Sequence, residues 1–545
     1  MEQLFTHVKT CIRRGLMNEA LTEGSNLIFS SDQYAEPSRI ATLWYQVGLA
    51  LIESNCVIPN IQASYNFYIG LHTGLMVCGM DAYKKATARL SDIITDKTHS
   101  SIKPMIVDCQ SPLKDDMPIY LRCARAMILT PYLLGNDNDL VPANIAKHAK
   151  QYGVWEYFAM YAYTLVFHQN DLDTYKRLKC QMHDAIVEQY GQVSGWEKGH
   201  VAFFVDNCNH ESADRRASFI FMGQLKNMGY HITLIYPATD TELPSQDICD
   251  DHIQLPQITA QSIQEVKATL NFECVFYFTH MNVWSMILAS LRIGQIQCGM
   301  LGQVVTSALP SMDYFIMPKW DNPANYTETA VQLPGMGCAL TTVRVSAPPP
   351  VERNDKVVIY CPWSVTKFTA DSGRYLKAIY DRCPDVIFMF HVAGHHAYQH
   401  YMAKLALFID PHNIPFVVSD DESEGYYNNF VNCDLVVISY PTSGFTTVVD
   451  ALSMNKPVFA IDEPRDYSTC CAGQILKLLE FGDFVAPTLD TSVDNICQYV
   501  ETEKYKLFQV PAKMERIVNT HNKSLAYAFG EWMQEVAPPS SKDEV

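Results

Sequence analysis

Residues Asp434 to Pro464, DLVVISYPTSGFTTVVDALSMNKPVFAIDEP, decide how the rest of the chain is read. Leu435 to Ile438 is an apolar run closed by Pro441 and Gly444. A helix-period segment from about Thr446 to Met454 then leads through Asn455-Lys456-Pro457 into a second apolar run, Val458 to Ile461. That order predicts a βαβ unit. Its first loop ends in Thr442-Ser443-Gly444, small polar residues placed just before the helix. Unpaired backbone N–H groups and the positive end of the helix dipole favour a phosphate at such a place. Asp450 falls in the first turns of the same helix, on the side of Thr446 and Thr447, within reach of a ribose hydroxyl.

Upstream of this unit the same alternation repeats. KVVIYCPW reads as a strand, the segment around Ser372 to Arg382 as a helix, VIFMFHV as a strand, Tyr398 to Phe408 as a helix and PFVVS as a strand. Before them VSAPPPVERND, with three consecutive prolines and no apolar period, reads as a linker. Further upstream, HVAFFVDN is a buried strand, SFIFMGQLKNMG a helix ending at Gly229, and HITLIYP the next strand. CVFYFTH is another strand, followed by the helical NVWSMILASLRIG and then IQCGMLGQ. Strands alternating with helices predict parallel, doubly wound sheets, with ligands at the carboxyl ends of the strands. Residues 1 to about 195 differ, with apolar residues at three- and four-residue spacings in LFTHVKTCIRRGLM, TLWYQVGLALIES and WEYFAMYAYTLVF. Helical hairpins of similar size predict an all-α domain of the stacked, tetratricopeptide-like kind, although no ~34-residue signature repeats. It serves either as a groove for a protein segment or as a buttress for the domain that follows.

The expected organisation is therefore an all-α domain over 1–197, a first Rossmann-like domain over 198–345, a linker over 346–353, and a second Rossmann-like domain over 354–535. The last of these includes a terminal helical segment from about Ser492 to Glu535, and a polar tail, 536–545, reads as disordered. A length of 545 residues fits several domains. The net charge of −18 and pI near 5.4 argue against nucleic acid as the principal partner. No apolar run reaches the ~18 residues a membrane span needs, and the start carries no apolar leader segment, so a cytoplasmic protein is expected. The 17 cysteines show no repeating spacing and read as reduced thiols.

Two further stretches carry candidate chemistry. The loop after HVAFFVDN, CNHESADRR, holds His210 past a strand's carboxyl end, where an imidazole can accept a proton; Asp214, Arg215 and Arg216 either tune it or are solvated. In LGQVVTSALPSMDYFIMPKW, Gly302 allows close backbone approach, while Gln303, Thr306 and Ser307 offer neutral donors and acceptors of the kind that hold sugars or peptides; alternatively the stretch is a tight inter-strand turn. The acidic run Ser419 to Glu424 reads as charge complementing a helix start rather than a metal site.

LGQVVTSALPSMDY followed by NYTETAVQLPGMG resembles a signature of the glycosyltransferase family that contains O-GlcNAc transferase and the bacterial cytoplasmic adhesin N-glucosyltransferases. Gly302, Thr306, Ser307, Asp313, Tyr314, Glu328, Leu333 and Pro334 match in order, and LRIGQIQ is similar to the segment that precedes the signature. CPWSVTKF is similar to the family segment whose lysine neutralises the donor diphosphate, which assigns that role to Lys367 and a supporting hydroxyl to Ser364. NNFVNCDLVVISYPTSGFTTVVDAL resembles the bacterial branch, so that Thr446, Thr447 and Asp450 inherit phosphate and ribose roles, beside Ser443 and Gly444 of the donor-binding loop. Asn209-His210-Glu211 stands where the family has a histidine, which serves as base, acceptor positioner or phosphate contact.

The sequence departs from that pattern in three places. Gln303-Val304 replaces an aromatic or histidine followed by proline, Phe445 replaces the helix-start histidine of the eukaryotic branch, and Tyr426 or Tyr427 stands near a base-binding histidine, able to stack but not to make its hydrogen bonds.

The resemblance implies a GT-B fold and an inverting, metal-independent transferase with no cofactor. Its donor is a UDP-hexose, UDP-glucose first, and its acceptor an Asn, or Ser/Thr, of a polypeptide such as an adhesin before export. Extension of an existing glycan and nucleotide-sugar binding without transfer are the rival readings.

Overall fold

Val201, Phe203 and Val205 on one face, and Ala202 and Phe204 on the other, are all buried, as a strand covered on both sides by helices requires. All but Val205, which follows it, lie in β1 (His200–Phe204), an interior strand of a seven-stranded sheet. Its other strands are β2 (His231–Tyr236), β3 (Asp251–Gln254), β4 (Phe272–Tyr277), β5 (Gly294–Gly299), β6 (Tyr314–Pro318) and β7 (Thr329–Leu333). The computed structural model describes residues 6–8, 10–11, 172–208, 212–237, 246–302, 305–342, 356–363, 367–368, 370–391, 405, 408–409, 416–419, 424–463 and 471–539. Most of the expected all-α region, the linker over 346–353, most of the helix expected over 398–408 and the end of the tail lie outside these residues.

The chain divides into two compact units. The smaller comprises 1–148, 368–377 and 392–416; within it Gly373 makes room for a ring, since a Cβ there would stand 2.2 Å from Phe408. The larger comprises 149–367, 378–391 and 417–545 and carries the two sheets.

The first sheet runs β3-β2-β1-β4-β5-β6-β7, with every recorded pairing parallel. The second runs β10-β9-β8-β11-β12-β13, from β8 (Val357–Cys361), β9 (Val386–His391), β10 (Phe416–Ser419), β11 (Leu435–Val437), β12 (Val458–Ile461) and β13 (Val485–Ala486). In each sheet the winding reverses beside an interior strand, between β1 and β4 and between β8 and β11. In open α/β sheets the ligand crevice lies outside the carboxyl ends of the strands at such a reversal.

Among the described residues the helices that connect and cover the strands are α1 (Leu172–Tyr190), α2 (Ala213–Asn227), α3 (Ala260–Thr269), α4 (Val283–Leu291), α5 (Ala370–Arg382), α6 (Glu424–Asn432), α7 (Thr446–Ser453), α8 (Cys471–Leu478), α9 (Leu489–Glu501) and α10 (Lys513–Val536). Local chemistry explains several starts. Ser212 caps α2 by accepting from the Arg215 N–H at 3.1 Å, and Asn282 caps α4 by accepting from the Trp284 N–H at 2.8 Å. Thr259 and Ser262 form a reciprocal capping box on α3.

The pattern reading recovers most elements and misses β3, α3, β7, α8 and β13 as such. β3 and β7 are edge strands with few buried residues, and α3 buries only Ser262, Ile263 and Val266, too few to show a period. The terminal helical segment comprises two helices, α9 and α10. α10 also does not belong to the second sheet alone: Met514 and Val518 enter that sheet's core, whereas Leu525, Phe529 and Met533 enter the core of the first.

Candidate functional site

The carboxyl ends of β8 and β11 carry the residues that the sequence singles out. Trp363, just past β8, donates its indole N–H to the Val437 carbonyl at 2.7 Å, which fixes the strand's exit against β11. Four residues on, Lys367 donates its ammonium to the Ser443 carbonyl at 3.3 Å. Lys367 and the Thr442-Ser443-Gly444 loop, 76 residues apart in sequence, therefore meet at the reversal of the second sheet. Burial pushes the Lys367 ammonium down to about 8, with the neighbouring Cys471 opposing the shift.

Two helix starts flank this loop. α7 begins at Thr446, and its cap residue Phe445 has no side chain able to accept a hydrogen bond, so the first turn is not capped by its own sequence. The second is α8, whose Ala472 N–H donates to the Ser443 hydroxyl at 3.3 Å. Gly444 is required where it stands, because a Cβ would lie 2.9 Å from Oγ1 and 3.1 Å from Cβ of Thr447. A cation, a glycine turn and the positive ends of two helices make a setting that favours a diphosphate.

Asp450 lies one turn into α7 and is 2% exposed. Its Oδ1 accepts from the Arg216 guanidinium at 2.6 Å, and its Oδ2 accepts from the Tyr426 hydroxyl at 3.2 Å. Burial raises the Asp450 carboxyl above its usual range, and Arg216 and Tyr426 oppose the shift. Arg216 sits on α2, in the first sheet's half of the molecule, and also donates to the Thr341 carbonyl at 2.5 Å. Tyr426 stands on α6, with its ring edge-on to Phe430, Tyr427 and His391.

At the reversal of the first sheet, Asp206 follows β1 and accepts from the Asn282 side chain at 2.6 Å. Asp214, in the first turn of α2, is raised to about 7 by burial and by the nearby Asp206. These two carboxyls bracket the loop that contains His210 in sequence. His210, Gln303 and Ser364 themselves lie outside the described residues.

Thr306 and Ser307 are spent inside the protein rather than offered to a ligand. They are 1% and 0% exposed, and Glu328 gathers them: it accepts from the Thr306 hydroxyl at 2.6 Å, the Ser307 N–H at 2.8 Å and the Ala308 N–H at 3.2 Å, as well as from the Ser307 hydroxyl. Asp313 is likewise structural, accepting from Arg292 at 3.1 Å and from the Gln297 N–H at 2.8 Å. Gly302 is needed for close approach, because a Cβ would stand 2.2 Å from the Phe278 carbonyl oxygen.

The pattern reading left Arg216 undecided between tuning His210 and being solvated, and gave no role to Asp206, Asn282 or the start of α8. Among the described residues no group of three His, Cys, Asp or Glu side chains is placed to hold a metal; Asp420 to Ser423 lie outside them. No helix among the described residues is long and apolar enough to cross a membrane.

Two parallel sheets in tandem, each wound about a reversal with polar side chains gathered at the strands' carboxyl ends, define the GT-B class of fold. One solved structure agrees with that assignment. A mutant of the O-GlcNAc transferase of Thermobaculum terrenum superposes with a TM-score of 0.61 at 11% identity, over 98% of each chain. A glycosyltransferase from Rickettsia africae matches 63% of this chain and 100% of its own, with a TM-score of 0.41 and 12% identity. WaaG, a glycosyltransferase involved in lipopolysaccharide biosynthesis, matches 62% and 100%, with a TM-score of 0.38 and 10% identity. No protein-family model and no curated protein matches the sequence.

Proposed function

We propose that this protein is an inverting glycosyltransferase that moves a hexose, glucose first, from a UDP-sugar to an Asn, or Ser/Thr, side chain of a cytoplasmic polypeptide such as an adhesin before export. The observation that carries the proposal is the meeting of Lys367 with the Ser443-Gly444 loop at the second sheet's reversal, beside the start of α7 and one turn from Asp450. That set matches a nucleoside diphosphate part by part: a cation and helix starts for the diphosphate, a carboxylate for a ribose hydroxyl, and Tyr426 beside them for the base. The GT-B fold supplies the second half of a donor–acceptor pair in the first sheet.

In the reaction the acceptor heteroatom forms a bond to the anomeric carbon from the face opposite the nucleotide. The bond from that carbon to the diphosphate oxygen breaks, and UDP leaves with the electron pair. Lys367 and the helix starts offset the charge that develops on the leaving oxygen. The acceptor's proton passes to a base, for which His210 is the candidate. A fixed cation in place of a metal ion is the basis for proposing metal-independent transfer.

The test is co-expression with acceptor proteins followed by intact-mass measurement. One hexose increment per modified site, absent with Lys367→Ala, is the expected result. UDP-glucose binding without any increment on protein or glycan would replace transfer by sensing, and absence of UDP-sugar binding would remove the reading altogether.

A further inference from the structure

The Arg216–Asp450 ion pair spans 234 residues of sequence and joins a helix of the first sheet to the nucleotide helix of the second. Its side chains are 8% and 2% exposed, so both charges have left water for each other. Such a pair is costly to bury and is weak evidence of a purely stabilising role. Arg216 is also incompletely satisfied: its Nε–H is buried with no hydrogen-bond partner among the described residues. A bridge made for stability alone has little reason to leave a charged donor unspent. The partner it holds is the carboxylate placed for the ribose.

We propose that Arg216 is a positioning residue for the donor: from the first sheet's half of the molecule it orients Asp450, so that ribose recognition by the second half depends on contact with the first. The inference rests on the UDP-sugar reading of the Lys367–Ser443 site. A carboxylate has lone pairs beyond those used by Arg216 and Tyr426, so a ribose hydroxyl can donate to Asp450 while the ion pair persists. The groups facing Asp450 are Arg216 from α2, Tyr426 from α6 and the Tyr360 ring from β8, with Tyr427 near the guanidinium. Arg216 is the cation among them. Burial already raises the Asp450 carboxyl, so loss of Arg216 moves it further up, towards neutral pH.

The experiment is calorimetric titration with UDP-glucose, whose diphosphate diester stays ionised near neutral pH, over about pH 5.5 to 8.5. It compares the wild type, Arg216→Met, Arg216→Lys, Asp450→Asn and the double variant Arg216→Met/Asp450→Asn. Arg216→Met should bind about tenfold more weakly at neutral pH and lose further affinity as pH falls. Asp450→Asn should be weak without that added pH dependence, the double variant should equal Asp450→Asn, and Arg216→Lys should recover part of the loss. A merely structural bridge would weaken binding equally at every pH.

If Arg216→Met does not fold, Arg216→Gln, which removes the charge but keeps a hydrogen-bond donor, carries the same comparison against Asp450→Asn. Wild-type affinity in Arg216→Met, or a double variant weakened by the product of the single effects, overturns the inference and leaves the UDP-sugar reading standing. No binding by the wild type overturns both.

Discussion

Lys367 shows how one residue's position sets its chemistry. Burial beside the Ser443 loop brings its ammonium down to about 8, so at neutral pH the free protein still carries the proton but not by a wide margin. The protonated form is the one that offsets a diphosphate, so activity is present below that value and is lost above it. Because kcat/KM reports the free enzyme, it should fall about tenfold per pH unit above about pH 8. UDP release from UDP-glucose measures this, and a profile flat through pH 9 would remove Lys367 from the role. Lys367→Ala should lower kcat by about 10²–10³, the usual cost of losing one such charge-stabilising donor. Gly444→Ala places a methyl against Thr447 at the same turn and should weaken UDP-glucose binding about tenfold while leaving the melting temperature nearly unchanged, since the turn lies at a crevice. Asp450 and the Ser443-Gly444 turn are legible from local pattern because helix starts, glycine turns and a carboxylate on the right face are short-range signals. Lys367 has no such signal, since the cation meets its loop only through the parallel pairing of β8 with β11, and a resemblance is what singles it out. Arg216 is illegible for a sharper reason: in ADRRASF a solvated arginine and a buried one read alike.

The elements that hold the first half of the site are built around the LGQVVTSAL turn. Glu328, beside β7, collects three donors from Thr306, Ser307 and Ala308 at 2.6–3.2 Å and the Ser307 hydroxyl besides. From the other side α1 contributes the Tyr175 hydroxyl to the Thr306 carbonyl at 2.7 Å and the Lys179 ammonium to the His280 carbonyl at 3.0 Å. Thr306, Ser307 and Glu328 thus form one hydrogen-bonded framework, and Asp313 belongs to a second one with Arg292 and Gln297. Glu328→Ala strips the turn's acceptor and leaves buried donors unpaired, so a loss of about 3 kcal/mol or more is expected, read as a lower denaturation midpoint. Lys179 adds a pH dependence. Burial brings it from 10.5 down to about 7, with Glu328 opposing, so between those values the unfolded chain holds more protons than the folded one. Stability therefore rises with pH across that window, by at most about 5 kcal/mol, and the cost of the buried charge is complete below pH 7. Urea midpoints at pH 7 and pH 9 should separate for the wild type and converge for Lys179→Met; equal separations in both would mean that the ammonium is not desolvated. Most strands and most α-helices that bury a face were legible from period alone, whereas β3, β7 and α3, at the sheet's margins with few apolar positions, were not, nor were the short α8 and β13.

At the scale of the molecule α10 ties the two sheets into one folding unit. Its first turns bury Met514 and Val518 in the second sheet's core, and its last turns bury Leu525, Phe529 and Met533 in the first. Between them Asn522 exchanges hydrogen bonds with Leu340 at 3.0 and 2.6 Å, and the His521 ring meets the Cys338 carbonyl at 3.1 Å. Sequence reading placed this helix wholly with the second sheet because it follows that sheet in the chain; a continuous apolar stripe does not announce that its two ends face different cores. Phe529 is fully buried and packs edge-on to Phe221 and Phe276, with ring centres 4.7 and 5.1 Å away. Phe529→Ala should cost about 3–5 kcal/mol, as large-to-small aromatic substitutions in a core do. The informative measurement adds the nucleotide. UDP-glucose is expected on the second sheet, whereas the substitution damages the first. If α10 couples them, Phe529→Ala unfolds in urea as one transition, and ligand at about 100 times its Kd restores about 2.7 kcal/mol of the loss despite binding in the other core. Two transitions, with ligand moving only one of them, would show that the sheets unfold independently and that α10 is a strap on each rather than a bridge between them.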